Sequence, residues 1–129
     1  MEFKVRTGKK YEVIDLTPQV AEAVLAARVS EGICCVYVPH ATAAVVINEN
    51  DDQRIGLDLL DALDKLIPAG GWRHDQVDSN GAAHLKAAIL GPSEMIPVQN
   101  GRLALGTWQA IMLVELDGPR DRKVIVTVR

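Results

Sequence analysis

Three histidines are the residues of this chain best suited to chemistry. His40 follows an apolar run, and His74 and His84 lie in the polar central stretch Arg73–Lys86. Imidazole is the commonest protein ligand for zinc, and three protein ligands with one water form the usual catalytic zinc site. We therefore predict that the three rings meet around a divalent metal, with zinc as the expected ion.

The spacing of these histidines leaves a second interpretation open. No two of them stand in a short ligand pair such as His-x-x-x-His. From residue types alone, three unrelated surface or capped histidines are the more ordinary explanation, because side chains far apart along a chain converge only where the fold brings them together.

Charged residues near the histidines have roles that chemistry would predict. Asp75 and Asp78 could each accept a hydrogen bond from an imidazole N–H and so orient the ring. Glu49 follows a strand end and is a candidate general base. Lys86 and Arg120 are candidate catalytic ligands for anionic groups. Solvated surface charge is the ordinary alternative for the two basic residues. For Glu49 the alternative is a charge near the N-terminus of the following helix, and the two interpretations are evenly balanced.

Four neutral polar residues stand beside small ones and form a candidate substrate-binding set. Their amides and hydroxyl could contact a phosphate or the edge of a heterocycle, although capping and turn formation are common roles for such residues. The set is Thr42, Asn48, Asn80 and Gln109.

Glu115 is an acidic residue in a long apolar strand predicted for Thr107–Leu116. Alternation places Gln109, Ile111 and Glu115 on one face of that strand. A carboxylate in such surroundings needs a partner. Arg120 or Arg122, just beyond the following turn, can supply it.

Periodicity and turn residues predict the elements that position these side chains. Thr17 is the expected N-cap of the first helix, with Pro18 at its first position, and Trp72–Ser79 is expected to be an ordered loop. The order ββαββααβββ predicts an α+β fold, a single compact domain over residues 1–129 with a mixed, mostly antiparallel sheet packed with helices. Strands are expected near 3–6, 11–15, 33–38, 44–47, 95–98, 102–105, 107–116 and 124–128, and helices after Thr17 and near 53–66 and 80–90.

Composition excludes several classes of partner. The net charge is −3 without a basic block, and aromatic residues make up only 4%, which argues against nucleic acid. No apolar run reaches the length of a membrane span. Met1–Arg6 lacks the apolar core of a signal peptide, and adjacent Cys34 and Cys35 favour free thiols, so we expect a cytoplasmic protein.

Several motifs occur in the order seen in one known family. The pair of segments that reads Leu-Gly-Thr-Trp-Gln and Asp-Gly-Pro-Arg is the more specific part of the match. The chain resembles the YjbQ-like family, also called secondary thiamine-phosphate synthases, over nearly its whole length. The matching segments are His40–Ala43 with Asn48–Glu49, Asn80–Lys86, Gly101–Gln109 and Glu115–Arg120.

The resemblance implies a homotrimer with a histidine-rich pocket that holds a metal, plausibly zinc, near a subunit boundary. His40, His74 and His84 fall on the family's histidine positions, which reverses the preference in favour of the metal site. It also implies a weak thiamine-phosphate synthase activity, in which a pyrimidine diphosphate joins a thiazole phosphate and pyrophosphate leaves. A metal-stabilised trimer that binds a small ligand or partner without turnover is the alternative.

Two positions depart from the family's pattern. Ala41 stands where a hydroxyl residue is common, and Trp72 stands where tyrosine is common. One hydroxyl contact and one phenolic donor are therefore absent from the expected pocket. The expected ligand remains a small phosphorylated or heterocyclic molecule.

Overall fold

The computed structural model describes residues 1–129, which form eight strands and three α-helices. A 3-10 helix, Arg73–Gln76, lies between the second and third helices, and none of the helices has the length and apolarity needed to cross a membrane. The strands are β1 Glu2–Arg6, β2 Glu12–Asp15, β3 Gly32–Tyr37, β4 Ala43–Glu49, β5 Ser93–Gln99, β6 Arg102–Leu103, β7 Gln109–Glu115 and β8 Asp121–Val128. The helices are α1 Thr17–Ala27, α2 Arg54–Leu66 and α3 Gly81–Leu90.

The strands build two separate sheets in which every pair is antiparallel. Sheet A has the order β1-β8-β3-β5-β6, and sheet B has the order β2-β7-β4. The α+β class is thus confirmed, with two sheets in place of the single one expected. Four strands follow α3, near the four ranges that the sequence predicts.

The domain is a stack of three layers with two apolar cores. Alternation along β7 turns Ile111 and Leu113 toward sheet A and α1, and turns Val114 toward the helices. On the helix side, Ala83 and Ala87 of α3 pack against sheet B. The order of layers is therefore sheet A, then sheet B with α1, then α2 with α3.

Sequence signals at the ends of helices and strands predict one turn correctly and one helix cap wrongly. Asn100 and Gly101 both have positive φ and close the β5–β6 hairpin, as the Asn-Gly pair predicts. The N-cap prediction for Thr17 is wrong: Leu16 holds that position, and the Thr17 hydroxyl accepts the Ile111 N–H at 2.9 Å. This hydrogen bond connects the start of α1 to β7.

A buried ion pair joins the two sheets where β7 ends. Glu115 is 0% exposed and Arg122 is 2% exposed. The Arg122 Nε lies 3.0 and 3.1 Å from the two Glu115 oxygens, and Nη2 donates to the same carboxylate. The Thr7 hydroxyl donates to Glu115 at 2.7 Å, and Arg122 donates to the carbonyl and hydroxyl of Thr42. The predicted need of Glu115 for an arginine is met by Arg122.

We predict that Glu115→Gln lowers the free energy of unfolding by about 3–5 kcal/mol at pH 7, because the buried Arg122 charge loses its partner. Burial alone would raise the pKa of Glu115, but the hydrogen bonds from Arg122 and Thr7 outweigh it and lower that pKa. The stabilisation is therefore complete above the ordinary pKa and is lost as the pH falls through the folded-state pKa.

Urea unfolding between pH 7 and pH 3 measures both effects. Wild-type stability should fall in acid more steeply than that of Glu115→Gln. Glu2→Gln is the matched control, since Glu2 pairs with Lys123 on the surface and should cost less than about 1 kcal/mol. Equal stability of the two variants at pH 7 would contradict a structural role for the buried pair.

Candidate functional site

A polar depression of about 420 Å³ lies where the N-terminus of α3 meets the turn between β7 and β8. It contains two basic, two acidic and two neutral polar side chains and no apolar one. Its lining is Lys10, Asp78, Ser79, Asn80, Asp117 and Arg120.

Two glycines let the chain close around this depression. A Cβ on Gly81 would lie 2.8 Å from both Trp72 Cβ and Asp75 Oδ1, and the Gly81 N–H donates to that oxygen at 2.8 Å. A Cβ on Gly118 would lie 2.8 Å from the Thr7 hydroxyl and would overlap backbone as well. The 3-10 turn and the β7–β8 turn can therefore pack directly against α3 and the end of β7.

Asn80 lines the depression and has a buried hydrogen-bond acceptor without a partner. Its Nδ2 donates to Asp117 Oδ2 at 2.9 Å, and Arg120 Nη2 donates to the same oxygen at 3.1 Å. Because a carboxylate can only accept, these bonds fix the orientation of the Asn80 amide. Its Oδ1 is buried without a hydrogen-bond donor. A buried acceptor without a donor lowers the stability of the fold, and an N–H group of a ligand would remove that free-energy cost.

His74 and His84 lie side by side next to this depression. Their ring centroids are 4.6 Å apart with the planes at 76°, and His74 Nε2 lies 4.0 Å from Asp78. Asp78 also lines the depression. Two of the three histidines that the sequence singled out are thus brought together beside charged groups.

His40 does not join them. Its Nε2 accepts the Lys123 N–H at 2.8 Å, and it lies in a different depression beside β1 and β8. Burial and the positive charges of Arg122 and Arg120 lower the pKa of His40, so its ring is neutral at pH 7. A neutral imidazole has one acceptor nitrogen, and that nitrogen is already bonded.

Within a single chain the three imidazoles do not gather around one position. No group of three or more His, Cys, Asp or Glu side chains is arranged to hold a metal. The reason is the register of β3 and β8, which places His40 over a backbone N–H instead of beside α3. Metal binding by His40, His74 and His84 stays a prediction, since the family resemblance implies a site near a subunit boundary.

Lys86, a candidate anion ligand with surface solvation as its alternative, is buried and does not line the depression. It is 1% exposed, lies 3.2 Å from Asp64 on α2, and its ammonium stands 4.9 Å from the centroid of the Tyr11 ring. It points into the interior side of α3 and links that helix to α2 and to the residue preceding β2. These contacts give Lys86 a structural role.

The remaining predicted residues are separated along β4 and β7. Glu49 is the Cα partner of Gln109, and Asn48 is the partner of Ala110, whereas Glu115 pairs with Ala43 at the other end. Six residue steps along a strand span about 20 Å. Asn48, Glu49 and Gln109 therefore cannot line the depression that Arg120 and Asn80 share within one chain.

Thr42 lies at the end of β4 that is nearer the depression, but its polar atoms already accept hydrogen bonds. Both its carbonyl and its hydroxyl accept hydrogen bonds from Arg122, and the residue is 6% exposed. It supports the buried ion pair instead of facing a ligand.

Sequence reasoning missed three residues of the depression: Lys10, Ser79 and Asp117. Asp117 and Ser79 each adjoin a predicted site residue or turn, so proximity was an available signal. Lys10 could not be found that way, because hydrogen bonds between distant segments bring it to the β7–β8 turn. One of them joins the Gly118 N–H to the Lys10 carbonyl at 3.1 Å.

The fold and site define a small α+β protein with a polar, histidine-flanked depression. The chain belongs to the UPF0047 YjbQ-like family, whose model matches residues 1–129. A UPF0047 protein of Archaeoglobus fulgidus is 49% identical over 127 residues, covering 98% of each chain.

Solved structures agree with this assignment. A YjbQ/UPF0047 family protein from Clostridium acetobutylicum is 44% identical, with a TM-score of 0.96 and coverage of 100% of this chain and 99% of that one. A hypothetical protein from Aeropyrum pernix is 43% identical, also with a TM-score of 0.96, covering 100% and 96%.

Replacing Lys86 tests its structural role. Lys86→Met keeps the buried stem and removes the charge, so the free energy of unfolding should change by less than about 1.5 kcal/mol, because Asp64 remains solvated. Lys86→Ala should cost about 2–4 kcal/mol through the lost packing. Urea unfolding measures both, and calorimetric titration of pyrophosphate into Lys86→Met should give wild-type affinity. A tenfold weaker binding would restore Lys86 as an anion ligand.

Proposed function

We propose that this protein binds a small phosphorylated heterocycle in the depression at the N-terminus of α3. The observation that carries the proposal is the buried Asn80 Oδ1, which lacks a donor in a depression that also holds Lys10 and Arg120. A ligand that fits must present an N–H to the amide oxygen and an anionic group to the two cations.

The N-terminus of α3 adds to the attraction for an anion. Its helix dipole creates positive potential beside Asn80, while the Gly81 N–H is already bonded to Asp75 Oδ1. Arg120 also pairs with Asp117, so it is oriented before a ligand arrives. Preorganised donors of this kind bind phosphate better than mobile ones.

The reaction we propose for this site is the thiamine-phosphate synthase type that family resemblance implies. In it the carbon–oxygen bond of a pyrimidine diphosphate breaks, its electron pair leaves with pyrophosphate, and a carbon–nitrogen bond to a thiazole phosphate forms. The chain then needs no protein nucleophile. Lys10 and Arg120 would stabilise the charge that develops on the leaving pyrophosphate, and Asn80 would orient the pyrimidine amino group.

We propose that a divalent metal binds beside this site with His74 and His84 as two of its ligands. The two imidazoles suit zinc, and when bound it would supply charge neutralisation for phosphate oxygens. We assign His40 no ligand role within the chain, since its acceptor nitrogen bonds to Lys123 N–H. The homotrimer expected from the family belongs to the same proposal.

A second candidate function is a metal-stabilised assembly that binds a small ligand without turnover. The favouring observation is that Glu49 and Lys86, two of the three residues expected to be catalytic, lie away from the depression. Under this alternative the purified protein with bound metal forms no thiamine phosphate from the two substrates, while ligand binding persists.

Arg120 and Asn80 are expected to bind different parts of the ligand, Arg120 the anionic group and Asn80 the heterocycle. Arg120→Met should weaken both inorganic pyrophosphate and an aminopyrimidine diphosphate by about 10- to 100-fold, because a charged hydrogen-bond donor is lost. Asn80→Ala should weaken only the aminopyrimidine diphosphate. Calorimetric titration measures both affinities, and Arg102→Met, an exposed arginine elsewhere, is the matched control. Wild-type affinity in Arg120→Met would refute the site.

Metal content tests the histidine assignment independently of turnover. His84→Ala should lose the metal that wild-type protein retains after dialysis against zinc, whereas His40→Ala should retain it, since the His40 acceptor nitrogen bonds to Lys123. Elemental analysis measures the ratio of metal to chain. Loss of metal in His40→Ala but not in His84→Ala would contradict the assignment.

A further inference from the structure

The stretch Trp72–Ser79 lies between the second and third helices and has a single inward-facing residue. Within it every residue except Asp75 is exposed, and we call this stretch the flap. Asp75 Oδ1 accepts the Gly81 N–H at 2.8 Å, and Oδ2 accepts the Trp72 N–H at 3.2 Å. Because both oxygens bond to backbone groups, Asp75 fastens the flap to α3 and does not orient an imidazole directly.

Backbone hydrogen bonds inside the flap give it a shape of its own. The Asp75 N–H donates to the Trp72 carbonyl at 3.0 Å, and the N–H groups of Val77 and Asp78 donate to the His74 carbonyl at 2.9 and 3.0 Å. None of these three bonds involves the rest of the chain. The flap can therefore move as one unit without losing its internal turn.

Two glycines stand immediately before the flap. Gly70 and Gly71 have φ values of 92° and 83°, a conformation that residues with a Cβ rarely adopt. A Cβ on either would meet no other segment within 4 Å, so close packing does not account for these glycines. Free space and freedom in φ are the properties of a hinge, which absorbs a large backbone rotation in a few residues.

The flap carries groups that belong to the candidate site. Asp78 and Ser79 line the depression, and the His74 ring lies 4.6 Å from the His84 ring of α3, centroid to centroid. Movement of the flap away from α3 would therefore remove part of the wall of the depression and separate the two histidines.

Few contacts hold the flap in this position. The bond from Asp75 to the Gly81 N–H is the only hydrogen bond between the flap and α3. A second tether joins the Trp72 indole N–H to the Pro68 carbonyl at 2.8 Å. It spans the two glycines and keeps the hinge folded while the flap is closed. The closed position thus depends mainly on one carboxylate.

We infer that Asp75 is a positioning residue of the site and that the flap swings about Gly70 and Gly71 when the bond from Asp75 to α3 breaks. Closed, the flap completes the depression and sets His74 beside His84. Open, it withdraws both. The inference rests on the proposed function, because it concerns access to the same depression.

Hydrogen exchange of the folded protein tests the flap without any ligand. In Asp75→Ala, amide exchange across residues 72–79 should rise about tenfold or more, because the open position becomes populated. Asp75→Asn keeps one acceptor for the Gly81 N–H and should give a smaller rise. Asp61→Ala, which removes an exposed carboxylate from α2, is the matched control and should exchange like the wild type.

The distribution of exchange separates a hinged flap from a simple helix cap. If exchange rises equally in residues 82–90, Asp75 only caps α3, and the inference is overturned. Unchanged exchange of the flap in Asp75→Ala would overturn it as well. Circular dichroism confirms that each variant is folded.

Calorimetric titration of zinc chloride then tests the positioning of His74. Affinity for zinc should fall about 10- to 100-fold in Asp75→Ala, as it does when groups that orient metal ligands are removed, while the urea midpoint of unfolding stays close to that of the wild type. Wild-type zinc affinity in a variant whose flap exchanges rapidly would overturn the positioning role. A wild type that binds no zinc would refute the metal proposal alone, and hydrogen exchange would still decide the flap.

Discussion

The buried pair of Glu115 and Arg122 is the constraint on which the rest of the structure depends. It joins the last residue of β7 in sheet B to β8 in sheet A. Thr7, just after β1, and Thr42, just before β4, complete its hydrogen bonds. A buried ion pair contributes little net stability, but it strongly disfavours arrangements in which either charge loses its partner. It therefore specifies the approach of the two sheets at the end where the β7–β8 turn presents Asp117 and Arg120.

Much of the fold could be predicted from sequence because the signals were local. Alternation along β7, the Asn100-Gly101 pair and the demand of Glu115 for an arginine each involve residues close along the chain. Thr17 shows where local reasoning ends. Its sequence context suits an N-cap, but the neighbouring strand β7 offers an N–H to the same hydroxyl, and tertiary contact decides between them.

The candidate site was predicted less completely because it depends on register between distant segments. His74, His84, Asn80 and Arg120 do gather, since α3 and the β7–β8 turn meet. His40 is separated from them by its bond to β8. A hydrophobic pattern says which face of a strand is buried, but it does not say which backbone N–H lies opposite a given imidazole.

A similar separation along β4 and β7 bears on whether residues of two copies could share one site. Glu49 and Gln109 face each other about 20 Å from the Asn80 depression along β4 and β7, so they can act on the same ligand only if a second chain brings them there. Their family motif and their distance from the site are both explained if function resides in an assembly. Under the assembly that belongs to the proposed function, Glu49 and Gln109 of one chain would have to reach the depression of another.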